Sequence, residues 1–139
     1  MSVRYFAIVA GAVYLLVGVL GFVPAMKTPA HLGAPHLDVA QGYGYLLGLF
    51  PVNVLHNIVH LLIGFWGIAS FTSFNASRVF ARWLAVIYGL LAIMGMVPVL
   101  NTTFGLIPIF GHDVWLHALT AAVSAYFGFA VRPGVPVQG

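Results

Sequence analysis

Two histidines one helical turn apart are the residues whose spacing most directly suggests chemistry. His56 and His60 stand at positions i and i+4, which lie on the same face of a helix and suit a single metal ion. His117 follows a leucine later in the chain, as His56 does, and Asp113 precedes it by one turn. A carboxylate there would hold the second ring nitrogen and orient a ligating imidazole. The candidate metal or haem ligands are His56, His60 and His117, and the side chains expected to surround and orient them are Asp113, His112, Asn53 and Asn57.

Three kinds of role remain open for these polar side chains. In a structural role they would bond loop carbonyls and one another, and Asp113 would cap a helix, where a carboxylate is favoured. In a binding role they would hold one divalent metal, or His56 and His117 would be the two axial ligands of a haem. In a transport role the imidazoles would carry protons or sense external pH. Asn57 follows His56 where the HExxH protease motif has Glu, so zinc proteolysis is not expected.

The composition indicates a membrane protein in which these residues are embedded. Of the 139 residues, 62% are hydrophobic and 5% are charged, against roughly 25% charged in soluble domains. A helix needs about 20 apolar residues to cross a bilayer. Four blocks qualify, at Tyr5–Ala25, Val52–Phe74, Val79–Leu100 and Val114–Val131. They leave no soluble domain for an active site, so no enzyme activity is expected.

The charged residues and the lack of cysteine limit the possible ligands and predict the orientation in the membrane. Five basic residues against two acidic ones are too few for a nucleic-acid surface, and without cysteine there are no disulfides or thiolate ligands. Basic residues concentrate in cytoplasmic loops, and Arg4, Arg78, Arg82 and Arg132 would share one side of the membrane. This predicts that both termini are cytoplasmic. The first block is longer than the apolar region of a signal peptide and is interpreted as a retained helix.

The first and third blocks align at a constant offset of 74 residues. Tyr14 then meets Tyr88, and Pro24 meets Pro98. This predicts two tandem helix pairs related by an axis along the membrane normal, which is the parallel kind of repeat. The expected boundaries within one transmembrane domain are about 4–74 for the first repeat, about 78–131 for the second and 132–139 for a flexible tail.

Two runs of the sequence resemble a known family. The run from Leu46 to Gly64 contains Pro-Val-Asn-x-x-His-Asn-x-x-His, and the run from His112 to His117 reads His-Asp-Val-Trp-Leu-His. Both are similar to a bacterial family of small four-helix membrane proteins of unknown function. The resemblance implies a four-helix membrane fold, with His56, His60, Asp113 and His117 in the family motif, and it implies no activity.

The expected protein is therefore an all-α, integral-membrane bundle of four transmembrane helices in the bacterial plasma (inner) membrane. The leading functional expectation is a structural or accessory subunit, packed in the lipid bilayer against a larger membrane complex or its own copies. The alternatives are a haem or metal binder that uses membrane-embedded histidines on the outer side, and a small proton or ion transporter or pH sensor.

Overall fold

The computed structural model describes residues 2–132, which form four α-helices and a small sheet in the connection between the first two. The helices are α1 (Val3–Leu20), α2 (Val54–Ser70), α3 (Phe74–Gly95) and α4 (His112–Ala125), and a π-helical turn (Tyr126–Ala130) continues α4. The strands β1 (Lys27–Pro29), β2 (Gly44–Leu46) and β3 (Phe50–Val52) form an antiparallel sheet in the order β1-β2-β3. A short 3-10 turn at Pro24–Met26 leads from α1 into β1.

Helix length contradicts the expectation of four transmembrane helices. Among the described residues, only α1, with a mean hydropathy of 2.1, and α3, with 1.5, are long and apolar enough to cross a membrane. α2 and α4 are shorter, with 17 and 14 residues against 18 in α1 and 22 in α3. The predicted bundle of four transmembrane helices is therefore wrong.

The error arose because apolar blocks extend past the helices that they contain. Val52 belongs to β3 and Asn53 caps α2, while α2 already ends at Ser70. The three strands also contradict the all-α class. The predicted arrangement of two parallel repeats with both termini in the cytoplasm assumed that the chain crosses the membrane four times. That arrangement is therefore wrong as well. The repeat boundaries remain a prediction, and positions 133–139 of the expected tail lie outside the described residues.

The helices pack chiefly as two pairs, α1 with α2 and α3 with α4. Glycine permits the closest approach between α1 and α2, since a Cβ at Gly11 would lie 2.7 Å from the Ile68 nitrogen and 2.8 Å from the Gly64 oxygen. Aromatic rings join the two pairs, with Phe6 of α1 stacked on Phe127 at a centroid distance of 4.7 Å. This packing fixes α2 and α4, which carry the polar side chains of interest, against α1 and α3.

Arginines satisfy the backbone at the end of the molecule where α1 and α3 begin. Arg4 Nε donates to the Phe71 carbonyl at the end of α2, at 2.8 Å. Arg78, which the predicted repeat aligns with Arg4, donates from Nη2 to the Val131 carbonyl after the π-helical turn, at 2.9 Å. Basic side chains commonly bond the last carbonyls of helices in this way. The sheet lies at the opposite end, where α2 and α4 begin.

Candidate metal centre

The buried polar cluster consists of His56 and His60 on α2 and of Asp113 and His117 on α4. Their exposed fractions are 4%, 8%, 3% and 3% respectively. One ligand atom from each of His56, Asp113 and His117 lies within 4.8 Å of the other two. The rings of His56 and His60 have centroids 4.4 Å apart. The structure thus brings together all three histidines predicted as ligands and the carboxylate predicted to accompany them.

The cluster forms because two helices begin at the same place. His56 is the third residue of α2 and Asp113 the second of α4, and β3, which leads into α2, also contacts α4. Helix N-termini carry partial positive charge that favours a carboxylate. The side chain of Asp113 does not cap α4, however, since Gly111 occupies the cap position with a φ of 64°. The expected capping bond is absent, and the carboxylate is directed into the cluster.

Asn53 fixes the position of His56. Its Oδ1 accepts a hydrogen bond from the His56 backbone N–H at 2.9 Å. Its Nδ2 donates to the carbonyls of Val39 at 2.8 Å and Leu106 at 2.7 Å. The fully buried amide therefore ties the two long loops to the first turn of α2. These bonds hold Asn53 beside His56, and its expected role around a metal ligand stays a prediction.

The carbonyl of Pro51 is a functional group that sequence reasoning missed. It lies 3.1 Å from Nδ1 of His56, so the tautomer protonated at Nδ1 donates to it. That tautomer leaves the Nε2 lone pair free, which is the usual arrangement around a metal-ligating histidine. Because the acceptor is a backbone atom, the only sequence signal is the position of Pro51 two residues before the cap of α2.

Three polar atoms of the cluster lack a partner. Nδ1 of His60, Oδ2 of Asp113 and Nδ1 of His117 make no hydrogen bond within residues 2–132. Oδ2 of Asp113 lies 4.0 Å from Nδ1 of His56, too far for a hydrogen bond. Buried polar groups are normally paired, and each unpaired one costs about 1–3 kcal/mol. An ion held among these atoms would remove that cost.

Burial shifts the pKa values of the cluster residues. These residues lie on α2 and α4, not on the two helices of membrane-spanning length. Desolvation lowers the pKa of His56 well below its usual value, and the neighbouring His60 and His117 lower it further. Desolvation also lowers the pKa of His60 and of His117 to about 4. It raises the pKa of Asp113 well above its ordinary range. The imidazoles are therefore neutral at neutral pH, which is the form that binds metals.

Two tyrosines close the cluster on the side of α1 and α3. The ring of Tyr14 lies 5.4 Å from that of His60, and the ring of Tyr88 lies 5.1 Å from that of His117. The two tyrosine rings are themselves 5.6 Å apart. These contacts complete the aromatic surroundings of the two histidines.

The other candidate residues lie outside the cluster. His112 is exposed, and its Nδ1 accepts a hydrogen bond from Trp115 Nε1 at 3.0 Å. Asn57 is buried, but it packs against Gly21 at the end of α1, where a Cβ would overlap its amide group. Two loop histidines, His31 and His36, are exposed. None of these four residues contributes a donor to the converging set.

Two apolar recesses meet at the polar cluster. The larger, of about 470 Å³, lies between α1 and α4, and the smaller, of about 200 Å³, lies between α2 and α3. Tyr88 and the three histidines of the cluster line both recesses. Asp113 lines only the larger one.

The fold and the site together define a small helical protein with two apolar helices of membrane-spanning length and a buried His–Asp cluster beneath a three-stranded sheet. The chain belongs to the family described as a domain of unknown function, DUF4383, whose sequence profile matches residues 4–130. This confirms the resemblance to a family of unknown function. No curated protein and no solved structure matches the chain.

Proposed function

We propose that the protein binds one divalent first-row transition metal ion through His56, Asp113 and His117. The observation that carries the proposal is the convergence of three buried ligand atoms within 4.8 Å. Metal–nitrogen bonds of about 2.0–2.1 Å place tetrahedral ligand atoms about 3.4 Å apart. Side-chain rotations that move each atom by about 1 Å complete that geometry, and the helices need not move.

The donor set favours a single ion over haem. In a bis-histidine haem the two imidazoles lie on opposite faces of the porphyrin plane, whereas here a carboxylate oxygen stands among the same converging atoms. Two imidazoles and one carboxylate are the usual protein ligands of zinc and non-haem iron sites that keep an open position. His60, whose Nδ1 has no partner within the described chain, is placed to bond a further ligand of the metal.

The proposed location is a membrane, with α1 and α3 as the inserted helices and the plasma membrane as the compartment. Both helices expose a continuous apolar face, in which Val9 and Leu16 of α1 are 52% and 58% exposed and Trp83 and Leu90 of α3 are 54% and 57% exposed. Soluble monomers seldom expose apolar surface of this extent. These faces also agree with the expected accessory-subunit role, but the polar cluster is the feature that favours metal binding as the molecular function.

Co²⁺ binding to the detergent-purified protein tests the metal site. After chelation, a Co²⁺ titration followed by visible absorption should show binding of one ion per chain, and metal analysis of the untreated protein should show a first-row metal. His56→Ala, Asp113→Ala and His117→Ala should each abolish high-affinity binding, while His112→Ala, which changes an exposed histidine, should not. Folding of each variant is checked by circular dichroism. Folded protein that binds no Co²⁺, or binding that survives in all three cluster variants, refutes the proposal.

A further inference from the structure

The larger recess is a long apolar groove that includes the buried polar cluster. Its lining on α1 runs from Phe6 to Leu20, which spans about 21 Å at the helical rise of about 1.5 Å per residue. Residues of α4 form the opposite wall, and Leu84 and Tyr88 of α3 contribute to the floor. The groove is open along one side, since Val13 and Leu119 on its two walls are 51% and 54% exposed. This shape suits one extended hydrocarbon chain.

One stretch of the groove is chemically different from the rest. The ionisable side chains that line it are the four of the polar cluster together with Tyr14 and Tyr88. The unpaired atoms of His60, Asp113 and His117 all belong to residues that line this groove. A ligand with an apolar body and one polar end would match both parts.

We propose that the groove binds a long-chain carboxylate of the fatty-acid class, with its chain between α1 and α4 and its carboxylate on the metal ion at His56, Asp113 and His117. This inference rests on the proposed metal site. Its first support is that an apolar chain with one polar head group matches an apolar groove that contains one polar cluster. Its second support is the charge of the loaded site.

Charge balance selects a carboxylate over a neutral head group. A divalent ion with two neutral imidazoles and one aspartate carries a net charge of +1. In an environment of low dielectric, an uncompensated charge is costly and a contacting opposite charge strongly favourable. A monoanionic carboxylate neutralises the site and occupies the coordination position that three protein ligands leave open. An alcohol or an ester of the same chain length would leave the charge in place.

The test uses the visible absorption of Co²⁺ as a reporter of its own ligands. The Co²⁺-loaded, detergent-purified protein is titrated with hexadecanoate, acetate and methyl hexadecanoate. Hexadecanoate should change the Co²⁺ bands at a concentration at least about tenfold lower than acetate does, because each buried methylene adds binding free energy. Methyl hexadecanoate should leave the bands unchanged.

A pair of variants on α1 separates the groove from the metal site. Val13→Trp fills the groove and should weaken the hexadecanoate response at least about tenfold, without altering Co²⁺ or acetate binding. Leu16→Trp is the matched control, since Leu16 is 58% exposed on the same helix and is not part of the groove lining. Co²⁺ binding with no preference for hexadecanoate over acetate, or with no effect of Val13→Trp, overturns the fatty-acid proposal and leaves the metal site standing. Absence of Co²⁺ binding overturns both.

Discussion

Replacing Asn53 by alanine should destabilise the fold and weaken metal binding together. The side chain makes three hydrogen bonds: one caps the first turn of α2 at the His56 N–H, and two bond the loop carbonyls of Val39 and Leu106. Alanine removes all three and leaves one buried and two partly buried backbone groups without their partner. His56, the first proposed ligand, loses the contact that fixes its backbone.

The expected size of the effect follows from those bonds. Loss of an N-cap costs about 0.5–2 kcal/mol, and each of the two partly buried amide bonds contributes about 0.5–1.5 kcal/mol. The free energy of unfolding should therefore fall by about 1.5–5 kcal/mol. Removing a group that orients a metal ligand typically weakens metal binding about 10–100-fold.

Ser73→Ala provides the matched control. Ser73 caps α3 with a bond to the Ala76 N–H at 3.1 Å, and that bond is exposed and tied to no loop. Its loss should cost only the capping contribution of about 0.5–2 kcal/mol and leave metal binding unchanged. A second variant, Asn53→Asp, keeps the capping acceptor but turns an oxygen toward two carbonyls, so it should be at least as destabilising as Asn53→Ala.

Unfolding is followed by circular dichroism in detergent with increasing denaturant, and metal binding by Co²⁺ titration of the folded fraction. Equal destabilisation by Asn53→Ala and Ser73→Ala would refute the loop-anchoring role. A large loss of stability with unchanged Co²⁺ affinity would refute the argument that Asn53 orients His56.

Three further changes test the packing, the loop junction and the metal. Gly11→Ala places a Cβ 2.7 Å from the backbone of α2 and should lower the free energy of unfolding by about 1–3 kcal/mol. In the control Gly89→Ala the new Cβ meets its nearest neighbour at 3.9 Å, so this variant should gain up to about 1 kcal/mol of helix propensity. Similar changes in the two variants would contradict the close approach at Gly11. Gly105→Ala should destabilise by about 1–2 kcal/mol because its φ is +84° and a Cβ would contact Asp38, and an unchanged midpoint of unfolding would contradict that strain. Removing metal with a chelator should lower Tm by several degrees, since an ion at 100 times its Kd adds about 2.7 kcal/mol to the free energy of unfolding. The chelator should not change the Tm of His117→Ala, and an equal fall in that variant would place the metal elsewhere.

The positions of α1 and α3 could be predicted from the sequence, but the ends of α2 and α4 could not. Hydropathy counts apolar residues whatever their backbone bonding, so the second block included Val52, which pairs in β3 with Gly44. The fourth block ran on to Val131, beyond the π-helical turn that ends at Ala130. Strands of three residues give no readable alternation, since a strand pattern needs roughly four or more residues.

The histidines of the polar cluster were more predictable than their surroundings. The spacing of His56 and His60 fixes their shared face on any helix, and the Leu-His pair that His117 shares with His56 singled out His117. His112 was included wrongly because successive residues of a helix point about 100° apart. Only the rotation of α4 about its axis decides that Asp113 faces inward and His112 faces out. That rotation depends on tertiary packing, which a single sequence does not display.

The free energy of the metal-free protein distinguishes a binding cluster from a structural one. Burial raises the pKa of Asp113, so holding this group in the fold at neutral pH costs free energy whether it is ionised or protonated. Oδ2 of Asp113 has no hydrogen bond within the described residues to offset that cost. Asp113→Asn keeps the shape and removes the ionisable group, so with chelator present it should be more stable than the unchanged protein, and it should bind Co²⁺ far more weakly. If the cluster served packing alone, the same substitution would lower the metal-free stability. Higher stability with lost metal binding would show that the fold tolerates an unfavourable group because a ligand uses it, and a fall in stability would refute that argument.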